Sequence, residues 1–249
     1  MTEFYSAVVS EQLPPARPHL KFTPEGRRMR EVLSYARRGS RFTPGQQEAW
    51  DAHHDAWVVP DEAVDAPDFE LTRWFGREAP VIVEVGSGVG EATAALARLR
   101  PDHNVLAFEV WRPGVATTLA LLDDAGVQNV RLISIDAVWA LENLFAPGSV
   151  EELWTFFPDP WPKKRHHKRR LVSPAFAALV ASRLRPGGVW RLATDWEEYA
   201  EQMQAVLDAE QGLRGGPTDR WADRPLTKFE RKGIAAGRTI VDLAYEATG

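Results

Sequence analysis

Several carboxylates around a glycine-rich turn are the residues of this 249-residue chain whose types and spacing could do chemistry. The turn has the pattern E-x-G-x-G-x-G, with Glu84 followed by Gly86, Gly88 and Gly90. Glycines let a backbone turn sharply and approach a ligand closely. A pyrophosphate would bind at the start of the helix that follows such a turn, but Glu84 and Glu91 would repel it. The pattern therefore predicts a ligand that carries positive charge.

Two more carboxylates come at the ends of the next two predicted strands. Glu109 is placed to accept hydrogen bonds from both hydroxyls of a ribose. Asp136 is placed to accept a hydrogen bond from the exocyclic amine of an adenine. A cationic adenosine derivative would satisfy the turn and both acids, and S-adenosylmethionine is such a molecule. We therefore expect S-adenosylmethionine as the cofactor and a methyltransferase as the class of enzyme.

The segment FFPDPWPKKRHHKRR, residues 156–170, follows the fourth predicted strand. Its prolines restrict the backbone on both sides of Asp159, which suits a carboxylate that must be held in one place. Trp161 either stacks on a nucleobase or belongs to the core. The segment also carries six cationic side chains, which predict a phosphate-binding patch and a nucleic-acid acceptor: Lys163, Lys164, Arg165, Lys168, Arg169 and Arg170.

Alternating strands and helices must position these residues. Apolar, β-branched runs from residue 80 onward predict strands at 81–85, 104–110, 129–135, 151–157, 189–194 and 238–248, separated by helices. Such alternation predicts an α/β fold with a doubly wound, mostly parallel sheet, whose ligands bind at the carboxyl ends of the strands. Ser173 and Pro174 predict the start of one helix and Gly187–Gly188 follow its end. The region 211–237 is predicted to be a loop outside the repeat.

Three segments are predicted along the chain. Residues 1–50 form a basic, partly flexible N-terminal arm, because residues 1–41 hold eight Lys or Arg against four Glu. Residues 51–78 form an acidic linker and helix, and residues 79–249 form the methyltransferase domain. The basic arm is either part of a nucleic-acid surface or an ordinary solvated face.

Composition narrows the class of protein. The formal net charge is −5, and the absence of cysteine excludes disulfides and thiolate nucleophiles. No apolar run approaches the ~18 residues of a membrane span, and the N-terminus lacks the pattern of a secretory signal. The six histidines show no metal-ligand spacing. We therefore expect a cytoplasmic protein that binds neither a metal nor a membrane.

The chain resembles the bacterial tRNA (guanine-N7-)-methyltransferases of the TrmB type. The resemblance rests on FFPDPWPKKRHHKRR, ATDWEEYAEQM, RPLTKFERKG and RRGSRFTPGQ, which span about residues 35–245 in family order. Pro162 departs from the pattern, because family members often carry His there. The resemblance implies a Rossmann-like class I S-adenosylmethionine-dependent methyltransferase with an antiparallel C-terminal strand. It also implies methylation of the variable-loop guanine at position 46 of tRNA, by a monomer or homodimer with no obligatory protein partner.

The resemblance further implies roles for individual residues. Asp159 is the implied catalytic residue. The implied cofactor site consists of Glu84, Gly86, Gly88, Gly90, Glu109, Asp136 and Asp159. The implied substrate site consists of Lys163, Asp195, Thr227, Lys228, Phe229 and Glu230. The implied RNA contacts are Arg165, His166, His167, Lys168, Arg169 and Arg170. Without the family, residues 227–230 would be an ordinary loop, and Asp195 could cap the helix that follows it.

The implied chemistry explains why the site is rich in carboxylates. Guanine N7 is an acceptor with a free lone pair and no proton to remove, so the reaction needs no general base. Asp159 and Asp195 can accept hydrogen bonds from N1–H and the N2 amine of guanine, a pattern that adenine does not offer. A carboxylate beside the ring also stabilises the positive charge that develops on it. Asp159 is therefore expected to position and stabilise the guanine.

Other classes of function stay open at this stage. A methyltransferase for a small molecule or another RNA would use the same glycine turn, and a small-molecule enzyme would not need the basic run. A non-catalytic RNA-binding module would bind tRNA without depending on S-adenosylmethionine. A dehydrogenase is disfavoured by the glycine pattern and by the absence of a histidine suited to hydride transfer. Methyl transfer to tRNA separates these classes.

Overall fold

The computed structural model of the chain describes residues 34–35, 39–66 and 69–249. The predicted basic arm lies largely outside these ranges. Of the eight Lys and Arg residues at positions 1–41, the structure describes Arg41 alone. Within the described residues the chain forms a seven-stranded sheet with helices on both faces.

The strands are numbered in the order in which they occur along the chain. Their order in the sheet is different: β3-β2-β1-β4-β5-β7-β6. Their bounds are β1 Val81–Val85, β2 Asn104–Phe108, β3 Val130–Ile133, β4 Val150–Phe156, β5 Leu184–Thr194, β6 Leu213–Thr218 and β7 Val241–Ala247. The first five strands are parallel, whereas β7 is antiparallel to both β5 and β6. The predicted doubly wound sheet with an antiparallel C-terminal strand is confirmed.

Helices connect the strands and cover the sheet. Their bounds are α1 Pro44–Trp57, α2 Asp61–Val64, α3 Leu71–Phe75, α4 Glu91–Arg98, α5 Arg112–Asp124, α6 Ala137–Leu144, α7 Pro174–Arg183, α8 Glu197–Asp208 and α9 Lys228–Ala235. A short 3₁₀ helix covers Lys164–Arg169. Ser173 caps α7 by accepting a hydrogen bond from the backbone N–H of Phe176, as the sequence predicts. No helix in the described ranges is long and apolar enough to cross a membrane.

Two apolar cores lie on opposite faces of the sheet. Successive strand residues point to opposite faces, so Ile82 enters one core and Val83 the other. The Ile82 core is completed by side chains such as Leu96 of α4 and Leu119 of α5. The Val83 core is completed by helices α6, α7 and α8, for example through Met203. Burial on both faces explains why the parallel strands are continuous apolar runs.

The region 211–237, predicted as a loop, contains strand β6 and helix α9, so this prediction is wrong. Strand β6 has the sequence LRGGPT, whose glycines and proline have low β-propensity. It forms because it is an edge strand paired with β7. A side chain at Gly215 would place its Cβ 2.0 Å from the carbonyl oxygen of Ala244, so this pairing requires glycine. Strand β5 also begins earlier than predicted and includes Gly187 and Gly188.

Helix α1 crosses residue 50, where the sequence places the end of the basic arm. The side chain of Gln46 donates hydrogen bonds to the carbonyl oxygen of Pro113 at 3.0 Å and to Thr117 at 3.1 Å, both on α5. After the helix, the Val59 N–H donates to the carbonyl oxygen of Leu132 at the sheet edge. Residues 44–59 therefore pack against the sheet domain. The boundaries at residues 50 and 78 stay predictions.

Candidate functional site

A pocket lies at the carboxyl ends of β1, β2, β3 and β4. Strand β1 lies between β2 and β4, so the strand order reverses at this point of the sheet. Parallel α/β sheets bind ligands where the order reverses, because the loops that follow neighbouring strands separate there. The pocket is lined by Glu84, Glu109, Asp136 and Asp159, which the sequence predicts to share a site.

The glycine turn forms one wall of the pocket, and its three glycines have the left-handed backbone that favours glycine. Their φ angles are 78° at Gly86, 63° at Gly88 and 80° at Gly90. A Cβ at Gly90 would also lie 2.4 Å from the side chain of Thr118. The Gly86 N–H donates to the carbonyl oxygen of Phe108, which ties the turn to β2. The turn is therefore a bare-backbone surface beside the pocket.

Glu109 holds the glycine turn in place. Its Oε2 accepts a hydrogen bond from the Gly88 N–H at 2.7 Å, and its Oε1 accepts one from the Trp111 N–H at 2.7 Å. The residue predicted to bind a ribose thus also positions the turn.

Glu84 is a buried carboxyl group at the base of the pocket, with 2% of its surface exposed. Burial raises the pKa of Glu84 to about 7, although a hydrogen bond from Thr93 Oγ1 at 2.5 Å opposes the shift; the charge of Glu109 adds to it. Within the described chain, Glu84 makes no ion pair. A cation placed in the pocket would favour its charged form.

Asp136 caps helix α6 while also lining the pocket. Its Oδ1 accepts hydrogen bonds from the N–H groups of Val138 at 2.9 Å and Trp139 at 3.3 Å. An aspartate is among the preferred N-cap residues because its oxygen satisfies the first free N–H groups of a helix. Asp136, which the sequence predicts to bind the adenine amine, is therefore held in orientation by the helix that it caps.

The loop that carries Asp159 has an unusual backbone. Phe157 and Trp161 have φ angles of 51° and 45°, values that cost about 1–3 kcal/mol each in a residue other than glycine. The surrounding structure maintains them: the Phe157 N–H donates to the carbonyl oxygen of Ala193 at 2.7 Å, and Arg170 Nε donates to that of Pro160 at 2.9 Å. The loop thus presents Asp159 to the pocket in a restrained conformation.

Trp161 belongs to neither of the two apolar cores. The guanidinium of Arg169 lies 3.5 Å from the centroid of the Trp161 ring. The Nε1–H of Trp161 donates to the carbonyl oxygen of Ser34 at 2.9 Å. One ring face is therefore occupied by Arg169, an arrangement that differs from both a core tryptophan and a bare stacking surface.

The basic run divides into outward and inward side chains. Four cations are exposed and have no ion pair among the residues that the structure describes: Lys163, Lys164, Arg165 and Lys168. Arg170 is instead buried, donates to Gln202 Oε1 at 2.6 Å and lies over the ring of Tyr199. Of the predicted RNA contacts, Arg170 is thus placed in the interior, where it supports the Asp159 loop.

The two histidines of the run have different surroundings. Desolvation and then the neighbouring cations, Arg165 first, lower the pKa of His166 below its usual range. His167 Nε2 lies 3.5 Å from Oε1 of Glu198. Neither arrangement indicates a proton-transfer role.

The predicted substrate residues 227–230 open helix α9 at the border of the pocket. Thr227 caps the helix, and both Thr227 and Phe229 line the pocket. Glu230 points away from the pocket and is buried in ion pairs with Arg224 and Arg220. Residues 227–230 therefore contribute to two places, the pocket and the ion-pair network beneath α9.

Two further predicted ligands, Asp195 and Glu91, are bound to helix α9 or to the segment after it. Asp195 Oδ2 forms an ion pair with Arg238 at 2.8 Å and is not among the lining residues. The Glu91 carboxylate accepts hydrogen bonds from the Lys228 N–H and from Arg231 Nη2. Glu91 is predicted to face a cationic ligand, and in the structure it lines the pocket and also joins α4 to α9.

Sequence reasoning missed two residues that shape the site. Arg224 is fully buried and pairs with Glu230 and Asp242. Gly114 lies in the first turn of α5, where a Cβ would be 2.2 Å from the carbonyl oxygen of Gly88. A glycine inside a helix lowers helix stability. Its presence at position 114 of a predicted helix could therefore have indicated that another part of the backbone comes close there.

The chain is similar in sequence to several known proteins. A family model described as "Putative methyltransferase" matches residues 78–243. A curated protein from Nocardioides sp., named tRNA (guanine-N(7)-)-methyltransferase, is 65% identical over 94% of this chain and 95% of its own length. Proteins of the same name from Cutibacterium acnes and Aeromonas hydrophila are 48% and 41% identical, over 87% and 90% of this chain and 83% and 96% of their own lengths.

A solved structure shows the same fold at low sequence identity. The 16S rRNA methyltransferase KamB superposes with a TM-score of 0.54, at 18% identity, over 73% of this chain and 94% of that protein. The fold of this chain is therefore shared with that solved methyltransferase.

Proposed function

The chain belongs to the tRNA (guanine-N(7)-)-methyltransferase family, and we propose on that basis that it methylates N7 of the variable-loop guanine at position 46 of tRNA. The methyl donor is S-adenosylmethionine. The observation that carries the proposal is the shared pocket of Glu84, Glu109, Asp136 and Asp159, with the glycine turn as its wall.

The residues of the pocket fit S-adenosylmethionine. The glycine turn leaves a bare backbone surface, and a Cβ at Gly90 would displace it. Glu84 would hold the amino group of the methionine part, because a cation relieves the unfavourable burial of its charge. Glu109 would accept from the ribose hydroxyls and Asp136 from the adenine amine. When bound, the cofactor supplies an electrophilic methyl group on a sulfonium sulfur.

Asp159 would orient and stabilise the guanine. Its restrained loop holds the carboxylate at the pocket wall, where it can accept hydrogen bonds from the Watson–Crick edge. N7 carries no proton, so the carboxylate need not act as a base. The ring becomes cationic during transfer, and a fixed carboxylate nearby stabilises that charge. Asp195 would have to share its carboxylate with Arg238 to contact guanine, whereas Glu230 is buried in its ion pair with Arg224.

The exposed cations of the basic run would bind the RNA backbone. Lys163, Lys164, Arg165 and Lys168 have no acidic partner in the described part of the chain, so phosphates would be their counterions. We place the reaction in the cytoplasm with tRNA as the macromolecular partner, and we expect a monomer or homodimer that needs no second protein.

The direct test is methyl transfer from labelled S-adenosylmethionine to unmodified tRNA, followed by nucleoside analysis. We expect 7-methylguanosine with a tRNA transcript that carries guanine at position 46 and none with the matched adenine transcript. Equal product from both transcripts would overturn the choice of position. Methylation of small molecules in the absence of RNA would instead favour the alternative class.

A further inference from the structure

Arg170 is the last cation of the basic run, and its surroundings differ from those of the cations before it. The family resemblance implies an RNA contact for Arg170 as it does for Arg165 and Lys168. Arg165 and Lys168 are exposed, whereas Arg170 is 5% exposed. A guanidinium enclosed by the protein cannot neutralise a phosphate of a bound RNA. The function of Arg170 therefore lies inside the protein.

The guanidinium of Arg170 joins the loop that carries Asp159 to helix α8. Its Nε donates a hydrogen bond to the carbonyl oxygen of Pro160 at 2.9 Å. Its Nη1 donates to Oε1 of Gln202 at 2.6 Å, and its central carbon lies 4.9 Å from the ring centroid of Tyr199. Gln202 and Tyr199 belong to the first two turns of α8. One planar cation thus contacts both the loop and the helix.

The partners of Arg170 on α8 are themselves held in place. Tyr199 has no exposed surface, and its hydroxyl oxygen accepts a hydrogen bond from the Val172 N–H at 3.1 Å. Gln202 Nε2 donates to the carbonyl oxygen of Val172 at 3.2 Å. Arg170 Nη2 also lies 3.7 Å from Oε2 of Glu198, one turn before Gln202. Arg170 is therefore bound to a part of the protein with a fixed position.

The contact with Pro160 matters because few backbone groups can anchor this loop. Pro160 has no N–H, so its carbonyl oxygen is its only main-chain hydrogen-bonding group. The loop also holds Phe157 and Trp161 at positive φ, a conformation that persists only where surrounding contacts maintain it. Without Arg170, the residue directly after Asp159 would lose its hydrogen bond to the protein interior.

The charges of Arg170 and Asp159 act on the same buried ring. Burial raises the pKa of Tyr199 to about 12; the hydrogen bond with Val172 and the charge of Arg170 oppose this shift, and the charge of Asp159 adds to it. The Asp159 carboxylate therefore lies within electrostatic reach of the ring that Arg170 covers. The loop, Arg170 and the start of α8 form one connected unit beneath the pocket wall.

We propose that Arg170 is a positioning residue for methyl transfer rather than an RNA contact. It binds the Pro160 carbonyl and the side chains of α8, and it thereby keeps the Asp159 carboxylate at the pocket wall in the orientation that guanine requires. The basic run thus has two functions: its exposed cations bind RNA, and its last arginine fixes the catalytic loop. This inference rests on the proposed function, because it takes Asp159 as the residue that orients guanine.

The first test combines the rate of methyl transfer with the salt dependence of tRNA binding. In Arg170→Gln the single-turnover rate with saturating tRNA and S-adenosylmethionine should fall about 10- to 100-fold, because small displacements of a reacting group are costly. The slope of log affinity for tRNA against log salt should stay at the wild-type value. A phosphate contact would instead lower this slope by about 0.7–0.9, and that result would overturn the proposal.

Arg170→Lys separates the shape of the side chain from its charge. Lysine keeps the positive charge but lacks the planar fork that binds Pro160 and Gln202 together. We expect the rate of this variant to fall by a similar factor to that of Arg170→Gln. A wild-type rate in Arg170→Lys would show that charge alone suffices and would contradict the positioning role.

A double-mutant cycle tests whether Arg170 acts through Asp159. Residues that act as one unit have non-additive effects, whereas independent residues have additive ones. In the Asp159→Ala background, Arg170→Gln should therefore cause little further loss of rate. Losses that multiply would mean that Arg170 only stabilises the fold.

Arg183→Gln is the matched control for the loss of an inward arginine. Arg183 Nε donates to the carbonyl oxygen of Leu141 at 2.7 Å, at the end of α7, and Arg183 does not line the pocket. This variant should lose stability and keep the wild-type rate.

Gln202→Met carries the test if Arg170→Gln does not fold. It removes one acceptor of Arg170 and leaves the arginine in place. Its rate should fall at an unchanged salt slope, and Gln202→Glu, which restores an acceptor, should recover the rate. A wild-type rate in Gln202→Met would then overturn the proposal.

The outcomes distinguish this inference from the proposed function. A reduced salt slope in Arg170→Gln would overturn the inference even if the wild type produces 7-methylguanosine. An unchanged slope with no 7-methylguanosine from the wild type would support the inward role of Arg170 and overturn the proposed reaction.

Discussion

Arg224 Nη1 donates a hydrogen bond to Glu230 Oε2 at 2.6 Å, and both side chains are at least 99% buried. The same guanidinium binds Asp242 of β7 and lies 5.4 Å from the ring centroid of Phe157, two residues before Asp159. One buried cation thus joins the helix at the pocket rim, the end of the sheet and the loop that carries Asp159.

Replacing Arg224 should destabilise the fold strongly. In Arg224→Met the carboxylates of Glu230 and Asp242 stay buried but lose a cationic partner. We expect the free energy of unfolding to fall by about 3–5 kcal/mol. The matched control is Arg214→Met, because Arg214 pairs with Glu246 at an exposed position and should contribute about 0–1 kcal/mol. Urea unfolding measures both values. Equal losses would contradict the role of Arg224 as a buried anchor.

Replacing Asp159 should affect the rate of methyl transfer. In Asp159→Ala the developing charge on guanine loses its fixed carboxylate, and the rate with saturating tRNA and cofactor should fall about 100- to 1000-fold. Asp159→Asn keeps an acceptor oxygen without the charge, so its rate should lie between those of the wild type and Asp159→Ala. Single-turnover assays measure the rate, and Asp124→Ala, an exposed acid at the end of α5, is the control. A wild-type rate in Asp159→Ala would remove this residue from the mechanism.

Glu84 should make the stability of the protein without its cofactor depend on pH. The pKa of Glu84 rises from its ordinary value of 4.5 to about 7 in the folded chain, because the carboxyl group is buried. Between these values the folded state keeps a proton that the unfolded state has lost, so the free energy of unfolding decreases as pH rises. Above about pH 7 both states are ionised and the effect is complete, on the order of 3 kcal/mol.

The variant Glu84→Gln isolates this contribution. Urea unfolding of wild type and variant at several pH values between 5 and 8 gives two curves, and their difference removes the other titrating groups. The wild type should lose stability relative to the variant through this range. A constant difference would show that the carboxyl group titrates normally.

Gly114 should be needed for cofactor binding although it does not line the pocket. A Cβ at this position would lie 2.2 Å from the carbonyl oxygen of Gly88 and 2.9 Å from the ring of Trp111. Gly114→Ala must therefore displace the glycine turn, and we expect the affinity for S-adenosylmethionine to fall tenfold or more, with about 1–3 kcal/mol of lost stability. Calorimetric titration measures the affinity. Gly45→Ala in α1, with no atom within 4 Å of the new Cβ, should retain it.

The pocket acids were predictable because they depend on local order along the chain. Each apolar run predicts a strand, and residues at the end of a parallel strand or just after it lie at the carboxyl edge of the sheet. Glu84, Glu109 and Asp136 follow from this rule. Their partners did not follow from it: Thr93 and Gly88 bind these acids through contacts that the strand pattern does not contain.

The edge of the sheet was less predictable than its centre. The central strands are apolar on both faces, so each carries its own signal. Strand β6 carries glycine and proline and exists only because β7 pairs with it. A strand that forms only by pairing with its neighbour is therefore difficult to predict from its own residues.

The sequence by itself determined the α/β class, the alternation of strands and helices from residue 80, the grouping of Glu84, Glu109 and Asp136 at one edge of the sheet, and the family, because these depend on local patterns and on motifs. Only the tertiary structure decided which charged residues face a ligand. Arg170, Glu230 and Asp195 lie in charged motifs, yet the first two are buried and Asp195 is paired with Arg238 outside the pocket lining. The physical reason is that burying a charge is costly unless a partner from a distant segment binds it, and such partners are brought together only by the fold.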